Sequence, residues 1–215
     1  KPYFTQQQID GFGPGFDWQD FVFRKAPMKT TSLNVSGGSE KTQFSLSGST
    51  FNQDGIIRGS DYNRYSLRAN VNHAISSKLS VNFAGTLTKV KSNAQNSQGG
   101  NRGGSLIAGA ISAPPILTPY NEDGTYRVFG TAYSFINAQL INPINFLNEQ
   151  RSQTKGNRVL TNAALIYTPI PGLTVKFSGG IENSDDRTDS YTTNNFVNSQ
   201  GSASVSTSQF TSLLS

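Results

Sequence analysis

One histidine and no cysteine occur in the 215 residues of this chain, so few side chains are available for acid–base or nucleophilic chemistry. His73 falls on the apolar parity of an alternating segment, beside a short turn, which is the place of an interfacial or lipid-facing histidine rather than a general base. Serine is abundant, but no Gly-x-Ser-x-Gly elbow occurs, and any Ser-His-Asp set would have to use His73. The lack of cysteine removes thiolate zinc sites, iron–sulfur clusters and thiol nucleophiles. Two glycine runs, Gly11-Phe12-Gly13-Pro14-Gly15 and Gly99-Gly100-Asn101-Arg102-Gly103-Gly104, lack the Lys-Ser/Thr and the strand-to-helix setting of a phosphate cradle, and read as loops. Asn121-Glu122-Asp123-Gly124 and Asn183-Ser184-Asp185-Asp186 offer oxygen atoms that calcium would accept, but neither has EF-hand spacing. The Asp-Gly pair is explained more simply by a tight turn. No catalytic residue, metal or cofactor is assigned.

The elements that would position such residues are strands. Uncharged polar residues dominate: 27 Ser, 19 Thr, 20 Asn and 13 Gln, against only 14% charged, well under the roughly 25% of ordinary soluble domains. No apolar run reaches the length of a membrane helix. The excess of 18 Lys+Arg over 13 Asp+Glu is scattered singly along the chain rather than gathered on one face, which speaks against a nucleic-acid partner.

Period-two alternation recurs in six segments that group into three hairpins. Residues 30–37 and 42–51 fold about Ser39-Glu40, pairing Val35 with Phe44 and Leu33 with Leu46. Residues 62–75 and 79–91 fold about Ser76-Ser77-Lys78, pairing Val71 with Phe83 and Leu67 with Leu87. Residues 158–168 and 173–183 fold about Pro169-Ile170-Pro171-Gly172, where proline is expected to stop the strand, pairing Leu165 with Val175 and Ala163 with Phe177. In each hairpin the apolar residues land on one face.

The strands run about 10 to 13 residues, longer than the usual 5 or 6. Short turns (38–41, 76–78, 168–172) lie at one rim and long loops (52–61, 92–157) at the other. With one apolar and one Ser/Asn/Thr/Arg face, the pattern is that of an antiparallel transmembrane β-barrel. A soluble β-sandwich also alternates but seldom has such strands or so one-sided a loop distribution. On the barrel reading Leu67, Val71, Val81, Phe83, Leu165 and Val175 face lipid. Arg64, Arg68, Asn70, Asn82 and Lys176 face the lumen. Six strands are fewer than the eight of the smallest such barrels, so the chain is expected to be part of a larger one. Its layout is then an extracellular loop (1–29), four strands (30–91), a long extracellular loop (92–157), a hairpin (158–183), and a loop or incomplete further strands (184–215).

Several phrases carry a resemblance. Phe16-Asp17-Trp18-Gln19-Asp20-Phe21-Val22-Phe23-Arg24 followed by Ala26-Pro27-Met28, then Asn34-Val35-Ser36-Gly37-Gly38-Ser39-Glu40-Lys41-Thr42, resemble stretches of SusC/RagA-type TonB-linked outer-membrane transporters. Phe51-Asn52-Gln53-Asp54-Gly55-Ile56-Ile57 and Arg64-Tyr65-Ser66-Leu67-Arg68-Ala69-Asn70 continue the resemblance in order. It is dense over 16–91, recurs over 142–183 and thins after 190. It implies a plugged single-chain barrel in the outer membrane of Bacteroidetes, importing glycans or peptides with a SusD-like surface lipoprotein and coupled to TonB through an N-terminal region absent here. The competing class is a structural or adhesive β-protein of the cell surface that does not transport.

Within 92–157, Ser105–Ile111 is a short apolar stretch stopped by Pro114-Pro115. Asn142-Pro143 opens a short helix over 143–150, with Asn as cap and Pro in the first turn. Tyr120, Tyr126, Phe129 and Tyr133, with Phe135, lie between these pieces. They are candidates for contacting an oligosaccharide or peptide substrate or the lipoprotein lid; the alternative is that they pack the loop onto itself.

Overall fold

The computed structural model describes residues 2–95, 97, 105–197 and 201–214. The Gly99–Gly104 run therefore lies outside the described residues. The described strands form one antiparallel sheet joined in chain order without a crossover. They are β1 (Met28–Gly38), β2 (Thr42–Asp54), β3 (Asp61–Ala74), β4 (Leu79–Ala94), β5 (Gln150–Ile170), β6 (Leu173–Thr192) and β7 (Ser204–Leu214). Four short helices stand at the long-loop end: α1 (Gln6–Gly11), α2 (Trp18–Val22), α3 (Leu106–Ser112) and α4 (Pro143–Glu149). No described helix is long and apolar enough to cross a membrane.

The middle hairpin has the expected register, with Val71 opposite Phe83 and Leu67 opposite Leu87. The other two are shifted by two residues. In the first, Val35 pairs with Leu46 and Leu33 with Gly48. The cause is Ser39: its hydroxyl accepts from the Lys41 and Thr42 amides at 3.3 Å each, and its own amide donates to the Thr42 carbonyl at 2.6 Å. These bonds make a wider turn than the two-residue loop that Ser39-Glu40 suggests. In the third, Leu165 pairs with Phe177 and Tyr167 with Val175. Here β5 does not stop at proline. It runs through Pro169 to Ile170, which pairs with Leu173 across a Pro171-Gly172 turn, and a bulge between Tyr167 and Ile170 absorbs the extra residue. A bulge is where a residue without an N–H is tolerated inside a strand. Gly172 takes φ 87°, a conformation that L side chains resist. Because both shifts are by two, neither moves a side chain to the other face.

Three strands continue well past the alternating segments at the long-loop end, β4 to Ala94, β5 back to Gln150 and β6 on to Thr192. These extensions are polar on both faces, so hydrophobic periodicity could not mark them. Side-chain bonds join them across the ladder: Ser152 to Ser190 at 3.0 Å, Thr154 to Thr188 at 2.9 Å, and Gln153 to Asn93 at 2.9 Å. The long loop thus runs from Gln95 to Glu149 rather than from 92 to 157.

One sheet face is apolar over five successive cross-strand rows. They begin with Leu79 and Tyr167 at the short-turn end and finish with Leu33, Leu67, Leu87 and Val159. At two residues per row, five rows span roughly 27 Å along a strand; a tilt of about 40° brings that near the apolar band of an outer-membrane barrel. No described residue covers this face: Leu33 is 71% and Phe177 66% exposed. In water so continuous an apolar surface is unfavourable, and hydrocarbon removes that cost. His73 lies on this face near a short turn, its Nδ1 2.7 Å from the Thr42 hydroxyl.

The two faces make opposite demands on an added charge. Arginine at Val71, on the apolar face, is expected to cost about 2–4 kcal/mol of barrel stability near the bilayer midplane, while arginine at the adjacent Asn70 costs little. The folded fraction of the full-length receptor in liposomes, read by heat-modifiable gel mobility, should fall for Val71→Arg and hold for Asn70→Arg.

Candidate functional site

The face opposite the apolar one is a polar wall. Register places Arg64, Arg68, Asn70, Asn82 and Lys176 together on it, accompanied by Ser45, Ser47, Asn72, Asn162 and Ser178. The Arg64 guanidinium stands over the Phe51 ring at 5.6 Å, a cation–π contact that fixes a long side chain against the wall. Asn70 donates to the Ser45 hydroxyl at 3.1 Å. Asn70, Asn72, Asn82, Asn162 and Lys176 line one open concavity. Arg158 forms an ion pair with Glu182 on the same face. Amides, hydroxyls and a few charges make a surface that can hydrogen-bond polar solutes.

The second part of the site is a cap at the long-loop end. The segment before β1 stitches two loops together. Asp17 caps α2, accepting from the Gln19 and Asp20 amides at 3.0 and 2.9 Å, and this turns Trp18 and Val22 inward. Trp18 packs with Leu117, Phe129, Leu140 and Ile144 in one small core, and its indole N–H reaches the Pro114 carbonyl at 3.2 Å. Val22 joins Leu106, Ala110, Ile141 and Phe146 in another. Gly15 passes so close to Pro115 that a Cβ there would collide with its backbone. Arg24 then holds the β2–β3 loop, donating to the carbonyls of Gly55 and Ser60 at 3.1 and 3.3 Å.

α4 is the hub of the cap. Asn142 caps it as the Asn-Pro pair suggests, accepting from Ile144 at 3.1 Å, while its amide donates to the Pro119 and Arg127 carbonyls at 2.7 and 3.1 Å. Asn145, 2% exposed, donates to the Asn195 carbonyl and accepts from the Val197 amide, both at 2.9 Å. These bonds tie in the β6–β7 connection. Every polar atom of these buried amides therefore has its partner, as burial requires.

A hydrogen-bonded latch closes the base of the loop. The Tyr126 hydroxyl donates to Glu149 at 2.7 Å and accepts from Asn148 at 3.2 Å. Thr193 donates to the other Glu149 oxygen. Burial and the bond to Glu149 push the Tyr126 pKa up to about 12.

The loop aromatics have divided roles. Tyr120 and Tyr126 pair across a bridge with rings 5.3 Å apart. Phe129 is 1% exposed and packs edge-on against Trp18. It is a core residue of the cap, which corrects its expected place among contact residues. Tyr133 stacks on Phe135 at 5.3 Å, and Tyr3 and Phe4 from the N-terminal segment close around them. Tyr3 and Phe135 remain more than half exposed, so this cluster is an aromatic surface. Its N-terminal half has no local signal, because only folding brings 3–4 beside 133–135. Asn145, Glu149 and Thr193 also went unmarked, since single polar residues in a short helix or a connection carry no periodicity.

Neither acidic run gathers ligands. Asp123 accepts from the Thr125 hydroxyl and amide at 2.6 and 2.9 Å, an Asx turn with Gly124 at φ 81°. Those bonds hold its carboxyl below the usual range. Asp185 and Asp186 point to opposite faces of β6, and Asp185 is occupied by Gln209 and Thr211. No group of three or more His, Asp or Glu able to hold a metal occurs among the described residues.

A long-stranded meander with one bare apolar face and one polar face is a stretch of transmembrane β-barrel. No family model matches the chain, but known proteins do. TonB-dependent receptor P3 of Formosa agariphila is 31% identical over 167 residues, 76% of this chain and 16% of that receptor. TonB-dependent receptor SusC of Bacteroides thetaiotaomicron is 28% identical over 125 residues, 57% of this chain and 12% of SusC. The RagAB peptide importer in its "closed-closed" state superposes over 87% of this chain and 21% of its own with TM-score 0.69 and 26% identity. The chain is a segment of a SusC/RagA-like TonB-dependent receptor, a protein of the outer membrane. It spans only about a sixth of the receptor P3.

The latch makes a local demand. Hydrogen bonds to a charged group contribute about 1.5–3 kcal/mol, so Tyr126→Phe should speed trypsin cleavage after the half-buried Arg127 about tenfold in the full-length receptor. The folded pKa lies above the 10.0 of an ordinary tyrosine, so this stabilisation is complete below pH 10 and lost as pH rises through about 12.

Proposed function

We propose that the chain is barrel wall and extracellular cap of an outer-membrane nutrient importer. In this reading the long-loop end faces the outside and the short turns face the periplasm. The apolar face meets lipid and the polar wall lines the lumen, with Arg64, Arg68, Asn70, Asn82 and Lys176 along the route of the solute. The imported class is oligosaccharide or peptide, delivered by a SusD-like surface lipoprotein and moved at the expense of TonB. The observation that carries the reading is the packed cap standing on the polar wall. Four separate stretches of chain are spent on holding loops in one shape at the mouth, which a surface adhesin built on its barrel alone does not require. Similarity to SusC and to the RagAB peptide importer supports the same reading.

Within the cap, Tyr120, Tyr126 and Tyr133 are the proposed contacts for substrate or lipoprotein, joined by Tyr3 and Phe135. Exposed aromatic rings offer flat apolar faces to sugar rings and to peptide side chains at low entropic cost. Tyr126 contributes through the orientation of Tyr120, because its hydroxyl is committed to the latch.

Uptake tests this directly. Cells lacking the full-length receptor should lose accumulation of a defined pool of labelled oligosaccharides or peptides, and a protonophore should abolish the same accumulation in wild-type cells. Replacing Tyr3, Tyr133 and Phe135 together by alanine should cut uptake about tenfold at unchanged receptor abundance, as loss of a few stacking contacts of roughly 0.5–1 kcal/mol each implies. Unchanged uptake of every pool in receptor-null cells would overturn the importer reading.

A further inference from the structure

Just beyond the last apolar row, the outward face turns basic. Lys91 and Lys155 are direct cross-strand partners, and Lys89 lies two residues along β4, opposite Asn157. All three side chains are exposed. Like charges placed directly opposite on a sheet destabilise it, and no described carboxylate lies within ion-pair distance of any of the three. The acids that share this face are committed elsewhere. Asp54 pairs with Arg24 at 3.9 Å, Asp61 accepts from Asn63 and Asn93, and Asp185 accepts from Gln209 and Thr211. Asp189 accepts from Arg187 and Thr207, while also acting electrostatically on Lys155 from beyond ion-pair distance. Lys89 and Lys91 are left without a carboxylate at ion-pair distance, which leaves a place for an external anion.

A second observation says what kind of anion. A groove on the same face runs down from Lys89 between Tyr65, Leu67, Leu87 and Leu33 to Gly48. It exists because Gly48 has no side chain between Leu33 and Leu67 in its row, and a Cβ added there would touch nothing within 4 Å. A cationic head site and an apolar channel beneath it, crossing the level at which hydrocarbon gives way to headgroups, match a molecule with a phosphate at one end and an acyl chain at the other.

We propose that Lys89, Lys91 and Lys155 bind the phosphate headgroup of an anionic glycolipid of the outer leaflet, with one of its acyl chains in the Gly48 groove. Lipid bound here is an annular ligand of the wall, separate from the transported solute on the opposite face. The site rests on the outward assignment of the apolar face, which the Val71→Arg comparison examines by itself.

The experiment uses the full-length receptor extracted from outer membranes in mild detergent, with phosphorylated glycolipid per barrel measured by native mass spectrometry. Lys89→Gln/Lys91→Gln/Lys155→Gln should lower bound glycolipid about tenfold or more, since each lysine near a lipid surface contributes about a fivefold factor. Lys176→Gln, on the other face, should leave it unchanged. The charge-keeping Lys91→Arg/Lys155→Arg variant should retain it. Gly48→Leu should lower it without removing a charge. Heat-modifiable mobility reports folding, and the single Lys91→Gln variant replaces the triple one if the latter does not fold. Equal lipid in wild-type and lysine variants would overturn the proposal. So would equal retention of enzymatically dephosphorylated glycolipid, or displacement of the bound lipid by millimolar inorganic phosphate alone. Loss of uptake with lipid retained speaks to the importer reading and not to this site.

Discussion

Hydrocarbon offers no partner to a peptide N–H or C=O, so a chain crossing a bilayer must pair every backbone group within the protein. The rest of this structure depends on that constraint. It selects long strands in an unbroken antiparallel meander, and it makes the pairing between neighbours continuous through the apolar rows. Period-two alternation then hands one face to lipid and the other to a polar interior. The scarcity of charge and the abundance of Ser, Thr, Asn and Gln follow, because short uncharged polar side chains suit a wall packed closely against its neighbours.

The cap obeys a different balance. It is small, with cores of five or six buried residues each, and it sits where water satisfies what the protein does not. Its order comes from bringing together stretches far apart in the chain: 16–24, 55–60, 105–149 and 193–197. The three loops spring from neighbouring strand ends, so the sheet has already met part of the entropic cost of bringing them together. The N-terminal segment supplies the large residues, Phe16, Trp18 and Val22, around which they close. A rigid wall thus holds together loops that have only small cores of their own.

Much of this was legible in the sequence, for identifiable reasons. Parity survives any error of register that is a multiple of two, so the faces of Arg64, Asn82 and Lys176 could be assigned although two hairpins were placed two residues out. Register itself depends on turn details such as the Ser39 hydroxyl and the bulge at Pro169, which periodicity does not encode. The polar extensions of β5 and β6 were hidden because both faces of those segments carry the same residue types. In the cap, Asn142-Pro143 announced α4 through local capping chemistry. The burial of Phe129 did not announce itself, since an aromatic in a polar loop looks the same whether it meets a ligand or Trp18 from a hundred residues away. The phrases shared with SusC/RagA-type receptors fall largely on residues the fold uses: Asp17 as cap, Trp18 and Val22 in the cores, Arg24 on the β2–β3 loop, Ser39 in the first turn.

The central claim is that the two faces of this sheet meet lipid and an aqueous lumen. Nitroxide scanning of residues 66–73 along β3, one cysteine at a time in the full-length receptor in liposomes, measures that most directly. Collision with oxygen, which concentrates in hydrocarbon, should peak at Leu67, Ala69, Val71 and His73. Collision with a water-soluble nickel chelate should peak at Ser66, Arg68, Asn70 and Asn72. Accessibilities that do not alternate, or that alternate with the two sets exchanged, would contradict the account.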